Sequence, residues 1–334
     1  MKKYPNIVVG LGVQLLLAAG FMNGSACAQG FPGRGITIIV STSPGGLNDL
    51  LARTVGQIVS KGVGQPVVVD YRPGAGTLIG MSACAKAAPD GYTTCITTPE
   101  SLVYNPLLFS KLPYNPETDF VPVTNLVRGA GGVVVANAGA PGNTLPEMIA
   151  YAKSKPGVLN FATWGPGSIP AVVLGWINYT NAVNIASIPY KGSGPTVPAL
   201  LTGEVQVTYA AYGLVSQHVK TGKLKLLAAA GASRSPFLPD TPCLGEYKSD
   251  PGLNSYFGMY APSKTPAPVV ARLSSEFARA VNDPSMKDFL IKEALIAVGN
   301  TPAEFAAFIK DDRTNAARIF KAVGVSPSDS PPNN

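Results

Sequence analysis

"STSPGGLNDLLAR", residues 41–53, is the stretch on which the architecture turns. A β-branched run at 36–40 precedes it, Pro44-Gly45-Gly46 breaks that run, and an amphipathic pattern begins at once with Leu47. A strand that ends on Pro and Gly and feeds directly into a helix is one βα unit of an α/β protein. The helix start leaves backbone N–H groups unsatisfied and carries a partial positive charge. Such a loop can hold an anion with no charged side chain.

The same alternation continues outward. Strand-like runs at 66–70, 93–98, 133–136, 159–162, 185–190, 205–209 and 224–229 alternate with helical patterns at 47–60, 77–87, 145–155, 169–177, 197–202 and 214–221. This predicts an α/β fold with largely parallel sheets. A Gly- and Pro-rich linker, "SDPGLNSYFGMYAPSKTPAP" (249–268), follows, and then helical segments near 269–281, 285–293 and 302–320. Helices that finish a chain in this way pack on a sheet already built, here the first. The Pro-rich end at 330–334 reads as a disordered tail.

Of the 334 residues 46% are apolar, enough for two domains. Lys2 and Lys3 precede an apolar run of about 13 residues, too short for a span of roughly 20, and Ala26-Cys27-Ala28 fits a signal-peptidase site. Residues 1–28 are therefore read as a signal peptide, with Gln29 the mature N-terminus and the periplasm the destination. The formal charge of +7 falls by two when Lys2 and Lys3 leave, and no basic cluster interleaved with aromatics argues for nucleic acid. In an oxidising compartment Cys84 and Cys95, which flank the "AAPDGY" turn, can pair and leave Cys243 free.

Catalytic signatures are missing. Gly74, Gly76 and Gly80 give G-x-G-x-x-x-G, which misses the dinucleotide fingerprint and reads as a tight turn with close backbone packing. "GMSAC" (80–84) lacks the last glycine of a nucleophile elbow. His218, the sole histidine, sits at a helix end, and no carboxylate pair is evident. No catalytic residue, metal or cofactor is expected. A second loop, "ATWGPGS" (162–168), precedes the helical pattern at 169, so two helix starts facing each other would form a clamp for an anion.

At this point "SPGGLNDLLAR", "VVVDYRPGAGTLIG", "CAKAAPDGYT", "NPLLFSKLPYNPETDFVPV", "IPYKGSGPTVPALLTGEV" and "GKLKLLAAAGASRSPFLPDTP" together resemble the solute-binding proteins of tripartite tricarboxylate transporters, the Bug family. The resemblance implies a type II periplasmic binding protein, with 29–132 plus 251–334 as one domain and 133–250 as the other. Crossings near 128–133 and 248–255 would form the hinge. It further implies a small carboxylate ligand, the integral membrane components of the transporter as partners, and a monomer.

Pro44, Gly45, Gly46 and Asp49 match the family's PGG-x-x-D loop, and Thr163, Gly165, Gly167 and Ser168 its S/T-x-G-x-G-S loop. The expected ligand contacts are Thr42, Ser43, Gly45, Gly46, Leu47 and Asn48 on one wall. Thr163, Trp164, Gly165 and Ser168 form the other, with Thr98, Ser101, Tyr104, Gly192 and Ala210 completing the site. Asp49 is read as a helix cap, because a carboxylate would repel an anionic solute. Ile169-Pro170-Ala171 replaces the family's frequent His-Leu pair, and Ala210 stands where an Asp is common. An aromatic or otherwise apolar-bodied carboxylate, stacked on Trp164 near Tyr104 and Tyr212, is therefore expected. The alternative from another class is a secreted α/β hydrolase-like enzyme with an unrecognised nucleophile.

Overall fold

The computed structural model describes residues 30–129, 132–165, 168–190, 192–324 and 327. It divides into a short unit ending at Gly33 and one compact unit from Arg34 onward, which holds every element named below. The expected signal peptide and Pro-rich tail lie outside the described residues.

The chain runs β1 (Ile36–Val40), α1 (Leu47–Val63), β2 (Val67–Tyr71), α2 (Leu78–Ala85), β3 (Thr93–Thr97), a wide π-type turn (Glu100–Tyr104), α3 (Asn105–Leu108) and β4 (Phe120–Gly129). It continues with β5 (Gly132–Asn137), α4 (Leu145–Ser154), β6 (Asn160–Thr163), α5 (Ile169–Asn181), β7 (Ala186–Pro189), α6 (Ser193–Thr202), β8 (Val207–Ala211), α7 (Tyr212–Lys220) and β9 (Leu224–Ala229). The remainder is β10 (Tyr256–Pro262), α8 (Ala267–Val281), α9 (Lys287–Lys292), β11 (Leu295–Ala297) and α10 (Pro302–Ala322).

Two sheets result, one ordered β11-β4-β10-β3-β1-β2 and the other β7-β6-β8-β5-β9. The expectation of largely parallel sheets is corrected: both are mixed. β1 pairs in parallel with β2 and β3, but β10 runs antiparallel to β3 and β4, and β11 antiparallel to β4. In the second sheet β6 is parallel to β7 and β8, whereas β5 is antiparallel to β8 and β9. The linker expected at 249–268 contains β10, a strand buried along its whole length.

Local chemistry explains the elements that carry the site. Leu51, Val55 and Val59 of α1 repeat at helical spacing and are fully buried, each worth about 1.5–3 kcal/mol. Gly64 ends that helix at φ 68°, left-handed backbone that glycine adopts without penalty. α10 opens on a reciprocal capping box between Thr301 and Glu304 and buries Phe305, Ile309, Ala316 and Ile319 along one stripe. As expected, the last helices return to the first sheet, where α8 and α10 both pack on β4.

The "RPGAGTLIG" turn brings α2 against the end of β1. A Cβ on Gly80 would lie 2.7 Å from the Cα of Ser41 and 2.8 Å from the carbonyl oxygen of Arg72, so only glycine permits this approach. Cys84, at the end of α2, is disulfide-bonded to Cys95 in β3, with Cα atoms 6.1 Å apart. Cys243 is a buried free thiol.

Candidate functional site

The first wall is the loop from β1 into α1. Ser43, Pro44 and Gly45 are exposed, Thr42 and Gly46 half-buried, and Leu47 and Asn48 buried. Gly46 is the N-cap and makes no side-chain cap bond. The fully buried Asp49 holds the loop instead: its carboxylate accepts from the Gly45 N–H at 2.8 Å, the Tyr71 hydroxyl at 2.6 Å and the Arg53 guanidinium at 2.9 Å. That spends its charge inside the protein and matches a cap-like role. Its negative charge and hydrogen bond push the Tyr71 hydroxyl pKa up. Asn48 donates to the Thr42 hydroxyl at 3.4 Å, and its Oδ1 has no partner among the described residues.

Next to this loop lies a row of buried hydroxyls. Ser41 meets Thr97 at 3.4 Å, Thr97 is bonded to Ser101, and Ser101 meets Thr77 at 2.7 Å. Tyr114 donates to the Ser101 carbonyl at 2.7 Å, and the Asn105 amide donates to the Gly76 carbonyl at 3.0 Å. Thr77 sits at φ 78°, a left-handed conformation costly for a β-branched residue, and these bonds hold it there. Ser101 is thus saturated by the protein itself. Tyr104 is also fully buried, with its ring 5.6 Å from that of Phe320 and its hydroxyl donating to the Asn254 carbonyl.

The second wall is the loop from β6 into α5. Ser168 caps the helix: its Oγ accepts from the Ala171 N–H at 3.4 Å and the Trp164 N–H at 3.1 Å, and donates to the Gly165 carbonyl at 2.8 Å. Gly165 is at φ 97°, and Gly167 lies outside the described residues. The Thr163 hydroxyl meets Ser187 at 2.9 Å. Trp164 is half-buried, and its indole N–H is buried without a partner among the described residues.

The turn after β3 is joined to the second wall by a residue that the sequence reading passed over. Glu100, first in the π-type turn, accepts from the Thr98 hydroxyl with one carboxylate oxygen and from the Ile169 N–H, at the start of α5, with the other at 3.4 Å. Burial pushes its pKa above the usual carboxylate range. Thr98 therefore stands next to the start of α5, which Trp164 and Ser168 precede, and the Thr42–Asn48 loop is tied to the same turn through Ser41 and Thr97. Tyr209 was also missed. It lines a small cavity with Ile169, Val173, Asp250 and Asn254, and its hydroxyl lies 1.8 Å from where a Cβ on Gly132 would be.

Other expected residues stand apart. Ala210 is buried among Val133, Val135 and Ala162, on the face of β8 opposite Tyr209, as strand alternation requires. Gly192 is the N-cap of α6 at φ 101°, and its carbonyl accepts from the Thr196 hydroxyl. A surface recess of about 490 Å³ lined by Pro106, Phe109, Leu112 and Tyr114 includes none of these loop residues. Among the described residues no group of three or more His, Cys, Asp or Glu could hold a metal ion.

Known proteins share the sequence pattern and the fold of this chain. The family described as "Tripartite tricarboxylate transporter family receptor" matches residues 51–325. Protein BugT of Bordetella pertussis is 30% identical over 314 residues, covering 93% of this chain and 96% of BugT. A protein of R. palustris solved with adipate superposes with a TM-score of 0.84 at 28% identity, over 90% of this chain and 100% of that one. MatC of Rhodopseudomonas palustris, solved with bound malate, gives 0.79 at 27% identity, over 86% and 99%. The fold is that of two-domain periplasmic binding proteins, and the chain belongs to the tripartite tricarboxylate transporter family receptors, which are solute-binding proteins.

Proposed function

We propose that this protein captures a small carboxylate between two domains and delivers it to the integral membrane components of a tripartite tricarboxylate-type transporter. It works as a monomer in the periplasm, after removal of residues 1–28, and acts by binding alone. The domains are 29–132 with 251–334, and 133–250, closing on the two crossings near 128–133 and 248–255. The ligand sits between the Thr42–Asn48 loop and the Thr163–Ser168 loop.

One observation carries this reading. Glu100, in the turn after β3 of the first sheet, accepts from the Ile169 N–H at the start of α5 in the second, Ser41 at the head of the Thr42–Asn48 loop meets Thr97 beside that turn at 3.4 Å, and α1 opens on main-chain N–H groups that no side chain caps. Adipate and malate in the two R. palustris structures support the ligand class. Asn48 Oδ1 and the Trp164 indole N–H, unpaired among the described residues, add one acceptor and one donor.

The test is thermal shift and calorimetry against adipate, L-malate, benzoate and further mono-, di- and aromatic carboxylates, with mass analysis of the recovered ligand. A binder at one hundred times its Kd stabilises the fold by about 2.7 kcal/mol. A raised melting temperature with unchanged ligand mass is expected. Conversion of the ligand would favour an enzyme, and no stabilisation by any carboxylate would end the reading.

A further inference from the structure

A half-buried carboxylate stands inside a site proposed to take carboxylates, and both of its oxygens are already partnered. Glu100 reaches from the first sheet's turn to the N-terminus of α5, a 13-residue helix of the second sheet, and accepts the N–H of Ile169. Thr98, from the same turn as Glu100, donates to the other oxygen. By contrast Asn48, 7% exposed in the first turn of α1, leaves Oδ1 unpartnered, and the buried indole N–H of Trp164 is likewise unused. A group meant to receive a hydrogen bond from the ligand would be the unsatisfied one, and Glu100 is not.

We propose that Glu100 is an internal stand-in for the ligand: its carboxylate occupies the α5 N-terminus in the unliganded protein, and a solute carboxylate binds there by displacing it. The inference rests on the carboxylate-capture reading above and adds how that site is kept when empty. At the start of α5 Pro170 has no N–H and Ser168 caps that of Ala171, so the Ile169 N–H is the donor in question; it takes one carboxylate, and a second beside the first is repelled. Displacement is made easier by the cost of burying Glu100, visible in its raised pKa. Tyr209, whose hydroxyl pKa is raised by burial and by the nearby charges of Asp250 and Glu100, offers no positive charge to hold a second anion in place. Asp250 is itself tied to the Gly252 N–H at 3.1 Å. Glu100 is therefore a specificity-determining residue. It sets a threshold that weakly binding anions do not pass, and it fastens the two walls when no solute is present.

The consequence has an unusual sign, because removing a side chain from the binding site should tighten binding. Glu100→Ala, and Glu100→Gln as a size-preserving control against misfolding, are titrated at pH 7.5 with adipate, L-malate and benzoate beside the parent protein. Both variants should bind those carboxylates that the parent binds about tenfold more tightly, the scale of one relieved charge conflict. Amide exchange supplies an independent readout. Ile169 should lose protection in unliganded Glu100→Ala and regain it when the carboxylate is added. Equal or weaker binding by both variants would overturn the stand-in while leaving carboxylate capture intact. No binding of any of the three by parent or variants would overturn both.

Discussion

The hydroxyl of Tyr104 donates to the main-chain carbonyl of Asn254 at 3.2 Å, across 150 residues of sequence. The Asn254 side chain in turn donates to Asp312 Oδ1 of α10 at 2.8 Å, so the π-type turn, the segment returning to β10 and the last helix are bonded in series. Asp312 is the expensive member. Burial lifts its pKa to about 6, and its second oxygen has no partner among the described residues.

Because its folded pKa lies above the ordinary carboxylate value, the folded protein holds that proton more tightly than the unfolded chain does. The associated stability is fully present below about pH 4, declines as pH rises through about 6, and levels off above. Asp312→Asn, which still accepts from Asn254, should raise stability at pH 7.5 by on the order of 2 kcal/mol and flatten the pH 4–6 slope. Urea melts across that range measure both. An unchanged slope would show that Asp312 ionises normally.

Gly80→Ala should damage the first wall without touching it. The added methyl would meet backbone at Ser41 and Arg72, neither of which can rotate away. A loss of roughly 1–3 kcal/mol is expected, with weaker carboxylate binding from the displaced Ser41–Gly46 loop. Chemical denaturation and calorimetry on the same sample report the two effects together.

Opening the Cys84–Cys95 disulfide should cost about 2–4 kcal/mol, toward the lower end because the bridge spans a separation of only 11 residues. Non-reduced peptide mapping should recover the Cys84–Cys95 pair and an unmodified Cys243. Cys84→Ala with Cys95→Ala should melt at the temperature of the reduced parent.

Trp164→Ala should weaken binding of an apolar-bodied carboxylate by about 1–3 kcal/mol while leaving the melting temperature of the unliganded protein nearly unchanged. Trp164→Phe separates two contributions, since it keeps a stacking face and removes the unpaired indole N–H. Calorimetry with benzoate for both variants is the measurement. Parent-like affinity in Trp164→Ala would assign the indole to packing.

What could be seen from sequence followed from strong local patterns. β1 and α1 were legible because "ITIIV" is β-branched throughout and Leu51, Val55 and Val59 recur at helical spacing. β4 was hidden by its own polar residues: Thr124 and Asn125 are buried, with the Thr124 hydroxyl donating to the Asn300 carbonyl at 2.7 Å and the Asn125 main-chain N–H to the Asn300 side-chain oxygen at 2.8 Å, a partner 176 and 175 residues away. β10 was mistaken for linker on account of Gly258 and Pro262. Yet Gly258 is required there, since a Cβ would come within 2.4 Å of the Phe305 ring. Missing these two strands hid the antiparallel part of the first sheet; in the second, 133–136, 205–209 and 224–229 were all read as strands, and what no local pattern signals is that β5 runs against both of its neighbours. At the candidate site the Gly-containing loops were readable, whereas Glu100 is a single acid in a turn. Its significance arises only when Ile169 is brought beside it, and nothing local in "TTPES" signals that contact.

The pairing of β4 with β10 also sets the mechanics of the molecule. The outgoing connection leaves from Gly129 and reaches β5 at Gly132, three peptide steps of 3.8 Å or about 11 Å at full stretch. The returning one enters β10 at Tyr256, in register with Arg128 on the adjacent strand. Two connections rooted side by side, one of them this short, tie the sheets together at one place. Under the closure proposed above, torsion about a line through Arg128 and Tyr256 is the coordinate expected to yield, and opening would be a twist of two neighbouring ribbons.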